Sequence, residues 1–595
     1  RLQMGADHLA TLRETKETLR GIPAKGIGYG ALYGYQDELP QINFNYLGRL
    51  DGGTSSADGE RWRLTREPAG EAVHPANLDK NIMTINGWIV DGRLTFSIAS
   101  KLSQASADLF AQWYEQSLVE LIDELSVASR TYLTPSDIDY VVSAQCLDEL
   151  QAEREIENVH PANSLQQGFI YQAVTHGQDD DAYIVQMLWD YATRIDSYAL
   201  REAWIRVQRE LPALRLRFDW REELVQIIDV DATVDWRYVD LSRESADESA
   251  ASIRRLREAD RTEPYNLATV PLFRIYLIER GPISFSCLFS HHHSVLDGWS
   301  ITVLLNRVHS LYEALLAGLP AETTRDRSYS AGQKYLHDHR RAHTAFWRDY
   351  LSRFDERMDF QGLLREEARA GGRRVESTRR VEVMQERSFT ISGEKFARMR
   401  EFTQNSAVTL SAFLQYVWHK TLSTYTRATQ TISGVVLSGR GIPVDEIDTS
   451  VGLFINTLPL IVAHGAGDES VLEGIRAVQR GINELNAHST VNLGELNDGA
   501  DRLFDTLFIY ENWPKINPDG WQTQFTVRMG EDFEKLDYPL SVIVSESPSS
   551  MHYRLVYAAE LFDARYMADM LDVQQHLLDE ILADAQRPWR EVVLI

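Results

Sequence analysis

A mixed α/β fold, in which strands hand over directly to helices, is what this chain predicts, and three observations predict it. Around residues 283–290, Ile283, Phe285, Cys287 and Phe289 alternate with Ser284, Ser286, Leu288 and Ser290, the period of two that marks a strand with one apolar face. Immediately downstream, Ile301, Leu304, Leu305, Val308, Leu311, Tyr312 and Leu315 trace one stripe of a helix, as side chains three and four apart do. Third, a strand–strand–helix segment occurs twice. QINFNYLGRL (41–50), residues 81–90 and LTFSIASKLSQASADLFAQWYEQSLVELIDEL (94–125) form the first copy. DTLFIYENWP (505–514), YPLSVIVSE (538–546) and YRLVYAAELFDARYMADMLDVQQHLLDEIL (553–582) form the second. The closing helix of each copy carries an apolar stripe: Leu109, Trp113, Leu118, Leu121 and Ile122, then Met567, Met570, Leu571, Leu577, Leu578 and Ile581. Only one copy is preceded by the material that such a subdomain would need.

The other elements follow from the same patterns. Residues 264–280 are predicted as a strand and 300–317 as a long helix, while 126–158 read as the connection before a second globular unit near Val159. Residues 363–388 are polar, glycine-containing and rich in both charges, which predicts an exposed loop or hairpin rather than a nucleic-acid patch.

At 595 residues, the chain suggests several lobes at about 150 residues per domain. Its composition, 44% hydrophobic and 25% charged, is that of a globular protein with buried cores. A formal charge of −26 repels phosphate backbones and anionic bilayers, so neither nucleic acid nor a membrane is expected as a partner. Cys146 and Cys287 lie far apart and outside any CxxC spacing, which argues against a disulfide framework or thiolate metal site and fits a reducing cytoplasm. Neither an apolar run long enough to span a bilayer nor a hydrophobic leader occurs. Both ends are expected to be cuts from something longer.

The densest chemistry is Ser290-His291-His292-His293-Ser294-Val295-Leu296-Asp297-Gly298-Trp299-Ser300. It falls at the strand-to-helix turn, with Asp297 near the helix N-terminus and Gly298 supplying backbone freedom. Neighbouring residues of a strand point to opposite faces, so only His291 and His293 share one and three-histidine metal coordination is not expected. A histidine pair completed by a distant ligand stays open. The bland reading of such a string is a satisfied core histidine beside an N-cap aspartate.

The full string resembles the HHxxxDG motif of the condensation domains of nonribosomal peptide synthetases, and four further segments agree in order over 159–595. They are VHPANSLQQGF (159–169), ELPALRLRF (210–218), SVGLFINTLPL (450–460) and RLFDTLFIYENWP (502–514). The resemblance implies a two-lobed fold related to chloramphenicol acetyltransferase, with an N-lobe at 159–330, a C-lobe at 331–595 and the site in a tunnel between them. It implies that His293 sits at the reaction centre, with His292, Asp297, Gly298 and His291 around it. Arg215, Trp299 and Asn456 would support the site, Arg215 as the cation paired with Asp297. The reaction implied is amide formation between an upstream peptidyl-carrier thioester and the amine of a downstream aminoacyl carrier. No cofactor or metal of its own is implied. Phosphopantetheine arms would come from the upstream and downstream peptidyl carrier proteins, with an adenylation domain as neighbour.

KETLRGIPAKGIGYG (16–30) and QINFNYLGRL (41–50) resemble the late motifs of epimerization domains. That implies a C-terminal part of such a domain at 1–128, inactive alone, a linker at 129–158, and a donor ending in a D-residue. HHHxxxDG also occurs in a β-lactam-forming condensation domain, where the added histidine offers a second base. A non-catalytic docking platform and a stand-alone acyltransferase are the remaining alternatives. His337, His339 and His343 have a spacing that could hold zinc, but no carboxylate motif accompanies them, and a solvated helix face is expected. No GxSxG, GxxxxGK[ST] or GxGxxG string is present.

Overall fold

The alternating run forms the strand Ser284–His292, and the stripe after it forms the helix Gly298–Leu316, whose N-cap is Asp297. The computed structural model to which they belong describes residues 5, 7–34, 41–50, 74, 81–90, 92–176, 183–320, 324–354, 357–378, 380–465, 467–492, 494, 502–512 and 527–592. The end of the late strand segment, 513–514, and the apolar close after Val592 lie outside them. The chain divides into two units, Arg1–Ser136 and Asp137–Ile595. Among the described residues no helix is long and apolar enough to cross a membrane.

In the first unit, Ile42–Arg49 pairs parallel with Met83–Val90, which pairs antiparallel with Arg93–Ser100. The helix Gln104–Ser126 follows, capped by the Ser103 hydroxyl. Its Tyr114 packs edge-on against Phe96 of the sheet, ring centroids 5.1 Å apart. In the second unit Thr506–Glu511, Leu540–Glu546, Ser550–Ala558 and the helix Ala564–Ala583 make the same parallel-then-antiparallel sequence. The two copies differ in burial. Met567, Met570, Leu577 and Leu578 are fully buried, whereas Leu109, Trp113 and Ile122 stay exposed. The later copy belongs to a six-stranded sheet covered by further helices, so its stripe has a partner layer.

The second unit is built on two large sheets. One runs in the order Val527–Phe533, Ile184–Tyr191, Ser284–His292, Phe273–Gly281, Asp235–Asp240. The helices Ser197–Glu210 and Gly298–Leu316 contribute its core, where Trp204 stacks on Phe289 at 5.3 Å. The other runs Met384–Ser392, Ser550–Ala558, Leu540–Glu546, Thr506–Glu511, Gln430–Leu437, Asn456–Ala463. Its core includes the helices Leu410–Thr426, Val471–Ala487 and Ala564–Ala583. Burying a large apolar side chain such as Trp204 or Trp418 contributes about 3 kcal/mol, and both are wholly removed from solvent.

The lobes are not continuous stretches of chain. Val527–Phe533 leaves the second sheet's succession and becomes the edge of the first sheet. Ile447, Val451 and Phe454 are likewise buried in the first core. Two further expectations change. The connection placed at 129–158 contains the helix Ala144–Glu153, with Cys146, Leu147 and Leu150 buried, and the strand Ile156–Pro161. The charged stretch 363–388 holds a short helix, Glu366–Ala370, and the start of an edge strand, with Leu364, Ala368, Val375 and Val381 in the core. Composition averages over both faces of such short elements and so hides their apolar side.

Candidate active site

The motif strand ends at His292. The main-chain N–H of His293 still donates to Tyr183 O at 2.7 Å, after which the chain turns over the buried Val295 and Leu296 into the helix. A helix N-terminus leaves backbone N–H groups unpaired, and Asp297 Oδ1 accepts one of them, from Ser300, at 2.8 Å. Gly298 is the first helical residue, so the left-handed freedom expected of it is not used. It instead lines a cavity of about 450 Å3 together with His291, His293 and Trp299.

The three histidines separate as their alternation requires. His292 is buried away from that lining, its Nδ1 2.7 Å from Ser294 Oγ, and burial pulls its pKa down to about 3. His291 is 1% exposed and burial likewise pulls it down to about 3. Its Nδ1 lies 3.3 Å from His292 O, and its Nε2 has no hydrogen-bond partner. His293 is different. Its Nδ1 is 3.0 Å from Leu296 O, its Nε2 is 3.1 Å from Glu534 Oε1, and its ring stacks on Phe169. Burial pulls its pKa down, but the hydrogen bond and charge of Glu534 outweigh that and the net shift is upward. Burial pushes Glu534 up, His293 and Arg554 pull it down, and its net shift is downward. The 36% of the Glu534 side chain that remains exposed borders the cavity. Glu511, on the same wall, is pushed up to about 7, chiefly by burial.

Asp297 does not pair with Arg215. Its Oδ2 accepts from Arg440 Nη1 at 2.9 Å and from the Phe454 N–H at 2.9 Å, and both charged side chains are buried. Arg440 also donates to Ser300 Oγ and Ser450 O, so this one cation fastens the motif helix to two loops of the other lobe. Arg215 is spent elsewhere, on Glu157 at 2.6 Å and on the carbonyl of Gln208, beside the small sheet Ile156–Pro161, Val225–Asp229, Leu216–Asp219. Trp299 Nε1 donates to Asp448 O. Asn456 Nδ2 donates to Ser489 O and Val491 O, holding a loop at the wall of a groove of about 990 Å3. Groove and cavity adjoin, with Leu165 and Ile455 lining both.

The turn that carries Arg440 depends on Gly439, at φ +65°, where a Cβ would fall 1.8 Å from Phe454 O. Gly439→Ala is expected to cost at least about 2 kcal/mol, from unfavourable φ plus a backbone clash, read as a lowered urea midpoint of the full chain.

Glu534 and Arg440 carry no local signal that names their partners. Arg440 stands in a Ser-Gly-Arg-Gly string after a strand, which marks a turn but not what it reaches. Glu534 lies in an ordinary acidic stretch. His339 and His343 do not share a helix: the first closes Ser328–His339 and the second caps Thr344–Ser352. No group able to hold a metal occurs among the described residues.

Two α/β lobes sharing one interior, with HHxxxDG at the strand-to-helix turn where they meet, define a recognisable class of domain. The family model described as Condensation domain matches residues 156–595, and the chain belongs to that family. It is 42% identical over 445 residues to N-(5-amino-5-carboxypentanoyl)-L-cysteinyl-D-valine synthase of Amycolatopsis lactamdurans, covering 73% of this chain and 12% of that protein. To the synthase of that name from Penicillium rubens it is 33% identical, over 91% of this chain and 14% of that one. Bacitracin synthase 1 of Bacillus licheniformis is 24% identical over 98% of this chain and 11% of its own length. The chain thus spans a small fraction of the curated relatives it matches. Among solved structures, the starter condensation domain of rhizomide synthetase superposes with TM-score 0.58 at 18% identity, covering 73% of this chain and 99% of that one. The first condensation domain of the calcium-dependent antibiotic synthetase gives 0.57 at 18%, with 73% and 100% covered. At that identity these show the fold alone.

Proposed function

We propose that this chain forms peptide bonds in nonribosomal peptide synthesis, joining an upstream peptidyl-carrier thioester to the amine of a downstream aminoacyl carrier. The observation that carries the reading is His293, held between Leu296 O and Glu534 on a cavity that adjoins a second groove. Aminolysis needs a neutral amine, a place for its proton and stabilisation of the tetrahedral oxyanion, and a fixed imidazole–carboxylate pair supplies proton-handling groups for this. Carrier proteins approaching the two openings would insert their phosphopantetheine arms, so the reactive thioester arrives as substrate. The neighbouring adenylation domain would load the acceptor carrier.

Residues 1–128 are proposed as the C-terminal part of an epimerization domain, and the donor therefore as one ending in a D-residue. The motifs at 16–30 and 41–50, the repeated strand topology and an alignment to bacitracin synthase 1 that extends over 98% of the chain support this.

The test loads a D-terminated peptidyl carrier and an L-aminoacyl carrier, adds the chain or its His293→Ala variant, and follows the acceptor carrier by intact mass. Transfer is expected to fall by about 10²–10⁴-fold in the variant. A product lighter by one water would instead favour β-lactam closure, with His291 as second base. No transfer from D- or L-terminated donors would favour a docking platform.

A further inference from the structure

We infer that His293 and Glu534 work as one proton-carrying pair, in which Glu534 takes the proton from the attacking amine and His293, already an imidazolium, gives one to the leaving sulfur. This rests on the condensation reading above and assigns the base to a residue outside the HHxxxDG string.

The polar contacts around the ring carry it. Nδ1 faces the Leu296 carbonyl oxygen at 3.0 Å and Nε2 faces a carboxylate oxygen at 3.1 Å. A carbonyl only accepts, as does an ionised carboxylate, whereas a neutral imidazole has a single N–H to offer. Both contacts are satisfied together only if the pair holds one proton beyond that N–H. Between an imidazole and a carboxylate that proton belongs on the ring, whose ordinary pKa is about two units higher. Arg554 acts to keep Glu534 ionised, while Glu511 acts the other way. His291 and His292 also bear on His293, and Asp532 bears on Glu511. A ring in this state has no lone pair with which to accept the amine's proton. Glu534 does: Oε1 is on the ring, and Oε2 has no hydrogen-bond partner among the described residues, at the cavity border.

The step balances. The amine lone pair forms the C–N bond to the thioester carbon, and the carbonyl π pair moves to oxygen. The proton on the now cationic nitrogen passes to Glu534. The oxyanion reforms C=O, the C–S bond breaks, and its electron pair leaves on sulfur, which takes a proton from His293. Neutralising Glu534 is what releases that N–H, since it discharges the ion pair. Transfer of the Glu534 proton to His293 then restores the starting state.

Two measurements on the full chain test this. Diethyl pyrocarbonate acylates neutral but not protonated imidazole, so the pH dependence of His293 modification, read by peptide mass, reports its protonation without any carrier. In the wild type the midpoint is expected above the ordinary histidine value, and in Glu534→Gln lower by about one to two pH units. An unshifted midpoint overturns the pair. In single-turnover transfer, Glu534→Gln is expected to lose about 100-fold or more in rate with unchanged carrier KM, and Glu534→Asp to recover part of it; a Gln variant as fast as wild type overturns the assignment. If wild type transfers no donor at all, the condensation reading fails, and the His293 midpoint still decides the pair. An unchanged thermal midpoint in the Gln variant excludes misfolding as the cause.

Discussion

Arg440→Leu should lower the stability of the second unit by about 3–5 kcal/mol, the cost of leaving a buried charge without its partner. Asp297 and Arg440 have side-chain exposures of 0% and 2%, so solvent cannot replace the lost cation. The Phe454 and Ser300 N–H groups would remain on the carboxylate and soften the loss without cancelling the charge. Urea unfolding followed by tryptophan fluorescence is the measurement. Arg440→Leu combined with Asp297→Asn should recover more than half of the deficit, because asparagine still caps the helix and no longer needs a cation. A single-variant loss below about 1 kcal/mol would show that the pair does not fasten the lobes. Arg215→Leu should act differently, leaving Glu157 to Arg325 alone and keeping the Asp297–Arg440 contact in place.

Mild acid should unfold this protein. His160 and His309 are pulled down to about 4, and His291, His292, His419 and His464 to about 3, in every case chiefly by burial. For a base whose folded pKa is depressed, the unfolded chain binds more protons once the pH drops below the unfolded value near 6.5. Stability is therefore full above that pH and is lost as pH falls toward the folded values. Each group removes about 1–2 kcal/mol by pH 5, and together they approach the 5–15 kcal/mol that holds a typical domain. The urea midpoint is expected to fall steeply between about pH 6.5 and 5, with cooperative loss of structure near the lower limit. His293 works in the opposite sense. Its folded pKa is raised by Glu534, so its contribution is complete below the unfolded value and fades as pH rises through the folded one. A midpoint flat from about pH 7 to 5 would mean that these histidines take up protons without opening the cores.

What was legible in the chain was local. The alternation through residues 284–292 placed His291 and His293 on one face and His292 on the other, because strand periodicity is a property of consecutive residues. The apolar stripe after it marked the helix, and a carboxylate one residue before its first turn is a cap wherever that helix goes. The repeated strand–strand–helix segment was readable for the same reason, since the alternation of each strand and the stripe of each helix lie in consecutive residues, even though the first two strands of each copy pair across an intervening segment.

Partners brought by chain crossings were not legible. Arg440 lies 143 residues from Asp297 and reaches it because a loop of one lobe enters the core of the other. Arg215, equally able to serve by charge, is consumed by Glu157 and by main-chain carbonyls. Glu534 meets His293 because Val527–Phe533 leaves its own sheet to edge the neighbouring one. The sequence by itself determined the strand, the helix, the cap and the facing of each histidine, all set by backbone periodicity over a few residues. Which cation holds the aspartate, and which carboxylate sets the charge on the histidine, were decided only by the tertiary structure, since Coulomb pairing depends on separation in space and is indifferent to distance along the chain.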